Sequence, residues 1–168
     1  DLFNDRIQKF DRDGTFIMKW GSAGGGDGQF SSVVDVAVAP DGSVYTADTG
    51  SRRIQKFDSS GTFLGKWGSY GTGDGQFANL GGVAVATDGS VYVTDRGNHR
   101  IQKFDANGTF ITKWGSSGSG NGQFAAPCGI AVADDGAVYV VDSSNECVQK
   151  FGSDGVFIAR WDVSTIDD

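Results

Sequence analysis

The sequence repeats at an interval of 47 residues, and that period decides what the chain can fold into. Phe10, Phe57, Phe104 and Phe151 stand 47 apart, as do Trp20, Trp67, Trp114 and Trp161, and Arg-Ile-Gln-Lys-Phe-Asp is written identically at 6–11, 53–58 and 100–105. A period of about 20 to 50 residues marks a repeat architecture, in which each unit buries its apolar faces against its neighbours. Residues that recur in every unit are there first to build the unit, so function has to be sought where the units differ.

One period, 31–77, resolves into four short strands. Val33 to Ala39 is an apolar run that ends in the turn Pro40-Asp41-Gly42, and Val44-Tyr45-Thr46-Ala47 follows; these are strands a and b. After the polar stretch 48–51, Arg53 to Phe57 and Thr62 to Trp67 flank Asp58-Ser59-Ser60-Gly61, giving strands c and d as an antiparallel hairpin. Ile54 and Phe57 lie on opposite faces of strand c, as Phe63 and Leu64 do in strand d, so both faces of the sheet want cover. Neighbouring sheets stacked face to face supply it, with the tryptophan as a wedge between them and the stems of Lys56 and Lys66 lying along apolar surface. Four antiparallel strands per ~40–50 residues predict the blade of a β-propeller. The predicted fold is therefore all-β, with three complete blades plus an N-terminal half blade of strands c and d: half blade and linker at 1–30, blades at 31–77, 78–124 and 125–168.

Composition narrows the partners. The 14 basic and 21 acidic residues leave a net charge of −7, which repels phosphate backbones and anionic lipid surfaces, so neither nucleic acid nor a membrane is the expected partner. No apolar run approaches the ~20 residues of a bilayer span. The 27 glycines fall at fixed offsets between apolar runs, where they read as turn chemistry. The chain does not start with Met and has no charged-then-apolar leader, which reads as a mature, trimmed or partial sequence.

The run Val91-Tyr92-Val93-Thr94-Asp95-Arg96-Gly97-Asn98-His99-Arg100-Ile101 resembles the NHL repeat, and looser versions stand at 48–57 and 142–151. The resemblance covers the whole chain. It implies a propeller, typically of six blades, whose members serve mostly as protein-interaction platforms, some as RNA binders and a few as lyase- or hydrolase-like enzymes.

Three and a half units cannot close a ring of four or more full blades. An open arc leaves an apolar face at each end, and on the order of 500 Å² of wetted surface forfeits on the order of 10 kcal/mol. Three expectations follow: the chain is the C-terminal part of a longer propeller, it assembles with copies of itself as a ring or filament, or sequence changes cap its ends. The last unit runs out at Trp161-Asp162-Val163 without the Gly-Ser linker, as though the array stops there. Leu2 and Phe3, which replace a polar linker, are the candidate cap or assembly contact.

Signals for chemistry are thin. His99 is the only histidine, so the multi-histidine metal centre of lyases with this fold cannot be built from one chain. Asp48, Asp95 and Asp142 end strand b, with Asp1 in the same place in the half unit; they are expected to cap turns or pair with Arg53, Arg100 and Arg6 rather than bind a cation or transfer protons. Cys147 stands where that arginine would be in the last unit, which makes Asp142 the least satisfied of the set and the odd one out. Asp27, Asp74 and Asn121 lie in the Gly-rich d–a loops, one oxygen ligand per loop, too few for a calcium loop. Gly24 to Gly28 lacks the Lys and Ser/Thr of a phosphate cradle. No cofactor is expected. Cys128 and Cys147 open strands a and c with strand b between, about 9–10 Å apart at ~4.8 Å per strand, beyond the reach of a disulfide. Asn107-Gly108-Thr109 spells a glycosylation sequon but reads first as a turn.

The face carrying the b–c and d–a loops is the expected binding surface by resemblance to other propellers. There Arg52, Tyr70, Asp74, Arg96, His99, Asn145 and Glu146 mark the positions where units differ most. The expected function is a non-enzymatic scaffold for protein–protein contact or self-assembly, its partner itself or another protein. The competing class is a propeller hydrolase or lyase with an axial Asp/Asn metal site.

Overall fold

The computed structural model describes residues 1–163, and the side chain of Leu2 lies outside the described set. Among the described residues, fourteen strands form four antiparallel sheets. The first is the hairpin β1 (Ile7–Phe10) and β2 (Phe16–Trp20). The second orders β3 (Val33–Val38), β4 (Val44–Asp48), β5 (Arg53–Phe57) and β6 (Phe63–Trp67). The third repeats it with β7 (Leu80–Val85), β8 (Val91–Asp95), β9 (Arg100–Phe104) and β10 (Phe110–Trp114). The fourth is β11 (Pro127–Val132), β12 (Val138–Asp142), β13 (Cys147–Phe151) and β14 (Phe157–Asp162). This is the half blade followed by three complete blades that the period predicts.

Local chemistry sets each hairpin. In the c–d turn Asp58 accepts through Oδ1 from the N–H groups of Ser60 and Thr62, each at 2.8 Å, and Gly61 at φ +79° closes the turn back onto the Asp58 carbonyl. A bulge then falls between Lys56 and Phe57, opposite β6, and one falls at the same place in the other c–d hairpins. The d–a linker folds back on itself through a parallel bridge between Tyr70 and Phe77, and the bridges Ala23 to Phe30 and Ser117 to Phe124 repeat it.

Blades stack face to face, with β3 against β7 and β7 against β11. Strands b and c are the buried layer: β4 and β8 are buried at all five positions, because side chains from both sheet faces meet a neighbouring blade. At each junction a linker phenylalanine (Phe30, Phe77, Phe124) and a strand c phenylalanine (Phe57, Phe104, Phe151) meet with centroids 5.7–5.9 Å apart, and the tryptophan of the preceding blade lies against the second ring.

Candidate functional site

The corner where strand b ends is the most polar buried place in each blade. Asp48 accepts from the N–H groups of Ser31 and Ser32 and from Nε of Arg53 at 3.3 Å. The guanidinium then donates to the carbonyls of Gly25, Gly26 and Gln29, and Gln55 locks the same linker by donating to Gln29 O and accepting from Gly28 N–H. Asp95, Arg100 and Gln102 repeat this in the next blade, with Asp95 to Arg100 at 2.8 Å and Asn98 donating to both Asp95 and Gly71 O. Asp48, Asp95 and Asp142 are fully buried. A buried pair whose hydrogen bonds are spent this way fixes the linker to the blade rather than serving a ligand.

Asp142 is not the least satisfied member, contrary to the sequence expectation. It accepts from the N–H groups of Ala125 and Ala126, each at 2.8 Å, and from the Asn145 amide at 2.7 Å. The substitution of Cys147 for arginine is answered from strand d, where Arg160 donates through Nη1 to Ser119 O. Cys147 is buried, and burial raises its thiol pKa, so it stays a neutral thiol. Both cysteines are free.

The seven residues proposed for the loop face divide. Arg52 lies over the exposed ring of Tyr70 at 4.9 Å, so these two come together. Asp74 pairs with Lys113 at 2.6 Å, as Asp27 pairs with Lys66. Asn145 belongs to the structural corner, donating to Asp142 and Gly118 O. Arg96, exposed, and His99, half-buried, share the b–c turn between β8 and β9, and Glu146, exposed, lies on the turn between β12 and β13. Asp5, Arg52, His99 and Glu146 occupy one repeat position, and all four take left-handed backbone angles, φ +46° to +56°. Among the described residues, no three His, Cys, Asp or Glu side chains come together as a metal ligand set would.

The two ends of the arc present a different kind of surface. Phe10 is half exposed, whereas its counterparts Phe57, Phe104 and Phe151 are fully buried. Beside it a groove of about 330 Å³ runs between β1 and β3, lined by Ile7, Phe10, Trp20, Val36, Val38 and Val44. Phe3 stands in solvent at 94% exposure, so it caps neither end within the chain. At the other end Trp161 is half exposed and lies stacked on Tyr139, with ring planes 21° apart. The equivalent pairs Tyr45 with Trp67 and Tyr92 with Trp114 are edge-on at 70° and 71°. Hydrogen bonding to Tyr139 raises the Lys150 ammonium pKa. Of these end residues, the sequence marks only Phe3 as a cap or contact; Phe10, Trp20 and Trp161 stand out there only as repeat positions, and the signal was their place in the first or last unit.

Stacked four-stranded blades, a linker pinned by an Asp–Arg–Gln corner and an Asn-His turn define a propeller repeat. Three stretches, 30–57, 77–104 and 124–151, match the NHL repeat model, and the chain belongs to that family. No curated protein matches the chain. Among solved structures it is similar to a streptogramin B lyase (17% identity, TM-score 0.71, covering 96% of this chain and 49% of that one). It is also similar to a gluconolactonase from Xanthomonas campestris (20%, TM-score 0.63, 90% and 53%) and to the WD40 repeats of RRP9 (14%, TM-score 0.67, 88% and 42%). These likenesses rest on the propeller fold, and the chain spans about half the length of each structure.

Proposed function

We propose that this chain is a non-enzymatic NHL-type propeller scaffold that works through protein–protein contact, including contact with copies of itself. The observation that carries the reading is the pair of uncovered blade faces. Val36 on β3 is 46% exposed, while Val83, its counterpart one blade on, is 3% exposed because β3 covers it. Surfaces that are buried inside the arc are thus presented to solvent at its ends, and an exposed apolar face of that kind marks an association site. The repeat carboxylates support the same reading, since their hydrogen bonds are taken up in holding the linkers.

Absolute mass by light scattering across a concentration series tests it. Mass rising above the 17.6 kDa of one chain is the expected result. A constant mass of one chain at every concentration would overturn self-assembly.

A further inference from the structure

The chain contains three filled copies of one socket and one empty copy. At each internal junction a strand c lysine donates to a carbonyl in the next blade's c–d turn: Lys9 to Ser59 O at 3.1 Å, Lys56 to Ala106 O at 3.0 Å and Lys103 to Ser153 O at 3.1 Å. The complete blades add a strand b tyrosine to the same carbonyl, Tyr45 to Ala106 O and Tyr92 to Ser153 O. The strand d tryptophan covers the turn glycine so closely that a Cβ on Gly61 would sit 2.7 Å from Trp20, and one on Gly155 would sit 2.6 Å from Trp114.

The last blade carries the same three groups, Tyr139, Lys150 and Trp161, and among the described residues no turn lies against them. The matching turn is also present and uncovered, in the half blade. Arg12 holds the place of Ser59, Ala106 and Ser153, and Gly14 holds the place of Gly61 and Gly155, with nothing within 4 Å of where its Cβ would be. Phe10, half exposed, is the counterpart of the phenylalanines that Trp20, Trp67 and Trp114 pack against. Each half of an interface seen three times within the chain is therefore left single at an opposite end.

We propose that Tyr139, Lys150 and Trp161 of one copy receive the 11–15 turn of a second copy. Lys150 and Tyr139 donate to Arg12 O, and Trp161 leaves its stack on Tyr139 to stand edge-on over Gly14 and against Phe10. The contact is head to tail, so each copy uses both surfaces, and it extends or closes according to whether the rotation returns on itself. This rests on the self-assembly reading and names its interface.

The test uses Trp161→Ser, which removes the socket's aromatic, and Gly14→Ala, which puts a methyl where that ring must lie. Phe10→Ser is a second turn-side variant, because alanine at the positive φ of Gly14 strains the hairpin; circular dichroism checks that each is folded. Each single variant is expected to weaken self-association, read by sedimentation velocity, by at least about tenfold. An equimolar mixture of Trp161→Ser with either turn-side variant retains one intact interface, so it is expected to give a discrete pair and nothing longer. Variants that associate like the parent would overturn this interface while leaving self-assembly standing. A parent chain that stays monomeric would overturn both. Single variants that fail to associate and do not recover on mixing would show that the two surfaces do not meet.

Discussion

Arg160 donates to the carbonyl of Ser119, the loop position whose counterparts Gly25 and Thr72 receive Arg53 and Arg100. The guanidinium has moved from strand c to strand d while its target has stayed in place. Two further changes go with the move: Lys66 and Lys113 become Arg160, and Asp27 and Asp74 become Asn121. Once the strand d cation reaches the linker carbonyl, the loop carboxylate that paired with it is no longer needed.

Removing the buried guanidinium should therefore cost more than removing its substitute. Arg100→Ala leaves Asp95 buried without its cation and unpins three linker carbonyls, an expected loss of about 3–5 kcal/mol. Arg160→Ala acts at a wetter site and should shift the midpoint far less. Chemical denaturation of the two variants gives the comparison.

Gly155→Ala is expected to destabilise by about 2–4 kcal/mol. The residue sits at φ +85°, and its Cβ would meet Trp114, so left-handed strain and overpacking act together. A Trp114→Ala, Gly155→Ala double variant should recover the overpacking part, and thermal melts read the coupling.

The same residue type at the same repeat position should behave differently inside and at the end of the arc. Phe104→Ala empties a fully buried site in contact with Trp67, Phe77 and Phe110, for about 3–5 kcal/mol. Phe10→Ala, measured in dilute solution where copies are apart, should cost about 1 kcal/mol, because half of its surface is already wet. Equal losses would mean that Phe10 is covered in the dilute chain.

Acid should loosen the turns. The carboxyls of Asp41, Asp58, Asp88 and Asp105 are held below their ordinary 3.8, first by the Ser43 N–H, the Ser60 hydroxyl, the Ser90 N–H and the Thr109 N–H respectively. A folded pKa below the unfolded one gives stability that is present above the unfolded value and is lost as pH falls through the folded one. Thermal midpoints should stay flat toward neutral pH and fall below 3.8. Asp58→Asn, which is uncharged and takes up no proton as pH falls, should flatten the fall.

The fold was legible because the period and the turn residues agree at every unit. Strand bounds read from Val44-Tyr45-Thr46-Ala47 or Arg53 to Phe57 match the structure to within a residue. The corner carboxylates were legible as structural for the same reason, since Arg53 and Arg100 recur with them. Asp142 was misjudged because the reading looked only at the arginine's own position. Its partners are backbone N–H groups and Asn145, and the compensating cation, Arg160, lies thirteen residues beyond Cys147, across a hairpin. Asn145, expected on the contact face, also makes the bonds that Asn98 makes one blade earlier, a likeness the differing neighbours hide in the sequence. The end surfaces were expected from blade arithmetic alone, and which side chains form them emerged only when the internal junctions could be laid beside the ends.

The shared left-handed backbone at Asp5, Arg52, His99 and Glu146 separates shape from identity. An acid, a base, an imidazole and a second acid occupy one conformation that disfavours any side chain by roughly 1–2 kcal/mol, where glycine would sit without strain. The architecture thus tolerates whatever stands there, and each blade can change the chemistry it shows on the loop face without altering how it is built.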